Sequence, residues 1–405
     1  MAAFSVAIAL ICGLISGCGK TGTAVPEVPD LQRLDVGDFG AEPLAEPADD
    51  DESYSRIIES ARMGEGVVNP SDLDKSFSRA ASAVLPTPND TTGILADVAR
   101  PVLASRGMIA GYSIGGYDRL GSDHQPIIGK TNSLRLTVLR FPDDTSARDA
   151  AAEIDTADFA VNPDNQPVAI PNYDGAHSHW RPQLPTLGVT AAHGSFVVAL
   201  FITRPTTDLT VLTATATAAL DAELPFLDKF TPTPADKLRA LALDQDGMLR
   251  RSLPSQRGKW PYPAVTPMDW GTVAGYGRGH LVTGVVFGPS GADHKTRNTA
   301  LDPVATGRPA VERLAVVDGR WLSRWQDATR ARRYFDLQAA ENAKDEEIVP
   351  GPTGVPDAKC FRDRVGEDVF CQVMDGRYVA ELGGHDAKTV LQQAAAQYAL
   401  LVKTR

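Results

Sequence analysis

Gly111-Tyr112-Ser113-Ile114-Gly115 fits G-x-S-x-G, the pattern that exposes a nucleophilic serine on a sharp turn between a strand and a helix. Met108-Ile109-Ala110 is acceptable as the end of such a strand. The helix is missing: Tyr117-Asp118-Arg119-Leu120-Gly121-Ser122-Asp123 holds two turn-formers and no apolar helical period. His280 or His385 would be the later bases, with no Asp that spacing selects. Gly271-Thr272-Val273-Ala274-Gly275-Tyr276-Gly277 also echoes Gly107 to Ser113 and puts Gly277 where Ser113 stands. A Gly-rich strand or bend therefore explains the string better than an esterase-like serine hydrolase does.

His177 and His179, with Asp174 and His193, form the best metal candidate, because alternate strand residues point to one face. Pro171-Asn172-Tyr173-Asp174-Gly175 reads as turn, however, and spacing fixes no third ligand. These read as surface or loop histidines, and no metal is expected. Gly275-Tyr276-Gly277-Arg278-Gly279 lacks the third glycine of a dinucleotide loop, so no cofactor is expected either. Arg330, Arg332 and Arg333, near Asp327 and Asp336, read as a solvated helix face with local ion pairs.

The cysteines carry firmer chemistry. Phe4 to Gly17 is apolar and uncharged and ends in Leu14-Ile15-Ser16-Gly17 just before Cys18. A short apolar segment closed by small residues reads as a secretory signal, here residues 1–17, too short to span a bilayer as a mature helix. A cysteine at that point resembles the lipobox of bacterial lipoproteins, which implies diacylation of Cys18 and a lipid anchor outside the cytoplasm. Cys360 and Cys371 remain as a pair. Outside the cytoplasm, two cysteines with ten residues between them are most simply a disulfide.

The charge is uneven. Net charge is −11, which argues against a nucleic-acid partner, since neutralising phosphates needs clustered Lys and Arg. From Asp35 to Glu52 there are eight carboxylates and no basic residue. Residues 18–53 are therefore expected to form a disordered acidic tether with a random-coil reach of about 30–35 Å.

Beyond residue 17 the chain is too long for one ordinary core and comfortable for two domains. Internal repetition supports that division. Arg140-Phe141-Pro142-Asp143 through Ala147-Arg148 recurs as Arg324-Trp325-Gln326-Asp327 through Ala331-Arg332, an offset of 184 residues. His193-Gly194-Ser195-Phe196 recurs as Asp375-Gly376-Arg377-Tyr378, an offset of 182. Asp143 and Asp327 stand where helix N-caps belong, and each glycine precedes a strand that opens on an aromatic residue. Helical patterns follow at Leu209 to Leu224 and at Ala387 to Val402. The fold class expected is α+β: two related domains from an internal duplication, each an antiparallel sheet with helices packed on one face. The boundaries expected are 54–232 and 233–405, with a Pro-rich lead-in at Ser252 to Trp270 that straps the second domain.

At this level the mature chain resembles a family of lipoproteins without an assigned activity from mycolic-acid-bearing actinobacteria, of mycobacterial or nocardial type. The matching features are Cys18, Glu59-Ser60-Ala61-Arg62, Asn69-Pro70-Ser71-Asp72-Leu73-Asp74, the duplicated helix starts, and Cys360 to Cys371 followed by Gly376-Arg377-Tyr378-Val379. The resemblance implies an envelope location and adds no catalytic residue. The expected function is a non-catalytic binding module for an envelope lipid, glycan or protein, held to the membrane by its N-terminal lipid.

Overall fold

A computed structural model describes residues 29–48, 51–119, 121, 126–268, 279–296 and 311–405. The expected signal peptide, Cys18 and the Gly271 to Gly277 echo lie outside those residues, as does the side chain of His280.

The first domain runs α1 (Glu52–Arg62), α2 (Pro70–Leu73), β1 (Arg79–Val84), α3 (Arg100–Ser105), β2 (Ala110–Tyr117), β3 (Ser133–Arg140), α4 (Asp144–Phe159), β4 (Gln166–Pro167), β5 (His177–Trp180), β6 (Thr186–His193), β7 (Phe196–Thr203) and α5 (Leu209–Leu227). A two-stranded ribbon follows, β8 (Ala264–Met268) with β9 (Gly279–Thr283). The second domain runs β10 (Val285–Phe287), α6 (Pro289–Thr296), β11 (Arg313–Val317), β12 (Arg320–Arg324), α7 (Ala328–Asp345), β13 (Glu347–Val349), β14 (Ala358–Arg362), β15 (Val369–Asp375), β16 (Tyr378–Gly384) and α8 (Ala387–Lys403).

The duplication is written in the topology. The first sheet has the order β1-β2-β3-β7-β6-β5-β4 and the second β10-β11-β12-β16-β15-β14-β13, both antiparallel throughout. Arg140 pairs with Phe196 as Arg324 pairs with Tyr378. The carboxylate of Asp143 accepts from the Ser146 N–H and that of Asp327 from the Arg330 N–H, so both long helices start on the same cap. Gly194 (φ 54°) and Gly376 (φ 55°) take the same left-handed turn, which a side chain would strain.

The helices divide between the two faces of each sheet instead of sharing one. Ala147, Ala151 and Ile154 of α4 pack with Leu139 and Val197, while Leu212, Ala216 and Ala219 of α5 pack with Val198 and Leu200. In the second domain α8 packs on Cys371, Val373 and Leu382, and α7 on Met374 and Val379. The reason is legible in β7. Its residues are apolar at successive positions, and such a strand has no face to give to water.

Cys360 and Cys371 are directly opposed across β14 and β15, buried and disulfide-bonded, with Cα atoms 4.1 Å apart. Only the second copy has this bond, since Ser178 and Val189 occupy the matching pair of positions. Replacing both cysteines with alanine should lower stability by about 3 kcal/mol on the chain-entropy account. Urea unfolding checks this, and an unchanged midpoint would show that the bond contributes nothing.

Two boundaries differ from expectation. Residues 233–240 pack on the first domain: the Thr233 N–H donates to Glu59 Oε1 at 2.9 Å, and Leu238 is buried in the first domain's core. Residues 29–48, expected within a disordered tether, lie on the second domain instead. Leu34 is buried beside Leu253, Gln392 Nε2 donates to Asp35 Oδ1 at 2.9 Å, and Lys403 reaches Glu42. Leu31, Val36 and Phe39 join that cluster, so apolar residues set between the carboxylates seat the segment. In the Pro-rich lead-in, Trp260 packs against the cluster that holds Met248 and Leu322; Trp270 lies outside the described residues.

The domains also share a core. Val285 and Phe287 of β10 and Ala292 of α6 are buried with Ile57, Met63 and Val84. Polar bonds cross the same contact: Gly291 N–H to Glu65 Oε1 at 2.9 Å, Asn69 Nδ2 to Asp293 Oδ2 at 3.1 Å, and Lys295 Nζ to the Ser82 carbonyl at 3.1 Å.

Candidate functional site

The strand β3 reads Ser133-Leu134-Arg135-Leu136-Thr137-Val138, with Leu134, Leu136 and Val138 turned to the α5 side. Alternation turns Arg135 and Thr137 the other way, towards α4. Register extends both residues into rows across the sheet. Arg135 pairs with Phe201, Phe201 with Gly188, and Gly188 with His179. Thr137 lies in the next row, between Ser113 and Ala199. The helix α4 and the loop at Gly93 to Ala96 roof this surface and leave a cavity of about 290 Å³. Its walls include Ile94, Leu95, Val189 and Leu200.

Charge enters from two sides. Arg135 is 4% exposed, and its Nη1 donates to the Gly93 carbonyl at 3.2 Å and to that of Ile94. Opposite it, His179 is 9% exposed. Its Nδ1 lies 2.7 Å from Asp155 Oδ1, and its Nε2 lies 3.7 Å from Asp158 Oδ2, beyond hydrogen-bond reach. The Asp155 contact puts the proton of a neutral imidazole on Nδ1, leaving Nε2 to accept. Burial pushes the Asp158 carboxyl above its ordinary range, and the neighbouring His179 pulls it back. Phe159 meets the His179 ring edge-on at 5.7 Å between centroids. The arrangement can grip one small molecule by both ends, with an apolar middle.

Ser113 is not placed on the exposed turn that the G-x-S-x-G pattern describes. It lies mid-strand in β2, fully buried, with its hydroxyl 2.8 Å from Thr137 Oγ1. The strained turn into a helix is absent, because β2 leads to β3. His177 shares its row but lies four strand spacings away, about 19 Å.

The histidines do not converge. His177 is exposed, His179 is held by Asp155, and His193 Nε2 meets Asp228 Oδ1 at 2.6 Å. Among the described residues no three His, Cys, Asp or Glu side chains could hold a metal ion. His385 pairs with Asp368 at the surface. Arg330 pairs with Asp327, and Arg332 bonds Asp357 at 2.6 Å, as an ion-paired helix face should.

Sequence reasoning took His179 for a surface or loop histidine, whereas it is buried in β5, and it missed Arg135, Asp155 and Asp158. A signal for Arg135 was present, as a cation in mid-strand between apolar neighbours. Asp155 and Asp158 look like ordinary polar residues at a helix end.

The profile of the domain of unknown function DUF7373, N-terminal part, matches residues 46–243, and that of its C-terminal part matches residues 248–404. The chain belongs to the DUF7373 family. The N-terminal DUF7373 segment contains the whole α4 pocket, and the C-terminal segment contains the disulfide. No curated protein matches the chain. Among solved structures, the extracellular domain of PknH from Mycobacterium tuberculosis is similar over 47% of this chain and 98% of its own, at 12% identity and a TM-score of 0.28. A likeness that loose carries no argument about the DUF7373 site.

Proposed function

We propose that this DUF7373 chain is a lipid-anchored, extracytoplasmic binding module whose α4 pocket takes a small amphipathic molecule of the cell envelope. One observation carries the reading: buried Arg135 and the His179–Asp155 pair face each other across an apolar cavity of about 290 Å³. That volume suits a short acyl segment with its polar end group, and is too small for a folded partner. The location outside the cytoplasm is supported by the buried disulfide, which such compartments preserve. No described helix is long and apolar enough to cross a membrane, so the anchor in this reading is the lipid on Cys18.

Native mass spectrometry of protein extracted from its own membrane should show a bound molecule. The variant His179→Phe tests the site at constant shape, since the second copy holds Phe361 at the matching position. We expect it to keep its fold and to bind about tenfold more weakly, the loss typical of one buried polar anchor. A parent protein that retains no ligand, or a variant that retains it undiminished, would overturn the assignment.

A further inference from the structure

The duplication repeats the pocket but changes its chemistry. Beneath α7 the second sheet carries its own cavity of about 310 Å³. The row Trp321, Glu381, Gln372 crosses β12, β16 and β15 there, just as Thr137, Ala199 and Thr190 cross β3, β7 and β6. Gln338 and Asn342 look down from α7, with Gln338 Nε2 donating to Asn342 Oδ1 at 3.0 Å. Among the described residues no cation lines this cavity, and Glu381, which accepts from the Tyr334 hydroxyl, is the one carboxylate in its lining.

Gln372 is the decisive residue. It is 2% exposed and lines the cavity, and among the described residues neither its amide nitrogen nor its amide oxygen has a hydrogen-bond partner. A buried amide without partners costs stability, about 1–3 kcal/mol for a group of this kind. Buried side-chain polar groups in folded proteins nearly always have a partner, so this amide calls for one from outside the chain. A side chain kept at that cost in the wall of a cavity points to a ligand that completes its bonds.

We propose that the second pocket binds a neutral sugar unit, a hexose or N-acetylhexosamine. Such a ring has one apolar C–H face, which an indole such as Trp321 can cover, and hydroxyls that both donate and accept. The Gln372 amide offers one donor and one acceptor function to adjacent hydroxyls, and Glu381 offers an acceptor. The absence of lining cations disfavours phosphorylated or acidic sugars. This site is separate from the α4 pocket and stands whether or not that pocket binds a lipid.

The test uses the complete chain, purified in a detergent without a sugar head group. Glucose, N-acetylglucosamine and their linked disaccharides are titrated while tryptophan fluorescence and saturation-transfer NMR are followed; vesicles carrying a glucosyl lipid form a second arm. Saturable binding in either arm is expected, and the arm that binds more tightly tells a polysaccharide from a glycolipid source. Gln372→Leu should weaken that binding by about tenfold or more while raising the thermal midpoint, a combination that a structural residue would not give. Should that variant fold poorly, Trp321→Phe should reduce affinity and move the fluorescence response. No binding in either arm, or undiminished binding by the folded Gln372→Leu or Trp321→Phe protein, would overturn the assignment.

Discussion

Glu59→Ala should destabilise the protein by about 3–5 kcal/mol, a large share of the stability of an ordinary domain. Glu59 lies on α1 with no exposed surface, and four groups use its carboxylate. Arg140 Nη1 donates to it at 2.6 Å, the Thr233 N–H at 2.9 Å and the Thr233 hydroxyl at 2.8 Å, and Arg62 donates from the helix's last turn. Burial pulls the Arg140 guanidinium pKa down, and Glu59 raises it again, so removing the carboxylate strands a cation inside the protein. The damage should spread across elements, because this knot ties α1, the end of β3 and the segment after α5 together. Denaturant unfolding measures the loss. Replacing Glu59 and Arg140 together with leucine and methionine should recover much of it, since the buried cation leaves with its partner and only Arg62, which reaches solvent, loses its carboxylate. A Glu59→Ala midpoint within about 1 kcal/mol of the parent would show that water, and not the carboxylate, satisfies Arg140.

Cys18→Ser should move the protein from the membrane fraction to the soluble fraction, still folded. In the proposed reading the acyl chains on Cys18 are the whole attachment, and stable anchoring by lipid needs more than one chain. Mass spectrometry of the N-terminal peptide should show the chains in the parent and their absence in the variant. Leu31 is already seated against the second domain, so the chain from Cys18 to that point can span at most about 45 Å. The second domain should therefore lie close to the bilayer, and a membrane-embedded crosslinker should label α8 and its neighbours before α4. A Cys18→Ser protein that stays membrane-bound would place the anchor elsewhere.

Much of the architecture was legible because it rests on local chemistry. Asp143 and Asp327 cap helices through their own side chains, Gly194 and Gly376 turn hairpins through their own backbone, and both devices recur at nearly one offset. The disulfide was legible because only two cysteines remained to pair. The acidic segment misled in its described part because carboxylates were weighed above the leucine and phenylalanine between them. The G-x-S-x-G string did not mislead: the missing helical period after Tyr117 favoured a Gly-rich strand or bend, and Ser113 lies in mid-strand.

The sites belong to a different class. Arg135, Asp155 and His179 are scattered along the chain, and Trp321, Gln372 and Glu381 are scattered further. The sequence by itself determined two α+β copies, their caps and turns, one staple, and the elements that would carry these residues. Only the tertiary structure decided that strand register aligns them in rows, and that α4 and α7 roof those rows without filling them. Strand order and register depend on long-range pairing, which no local pattern encodes, so the pockets appeared only when the sheets were assembled.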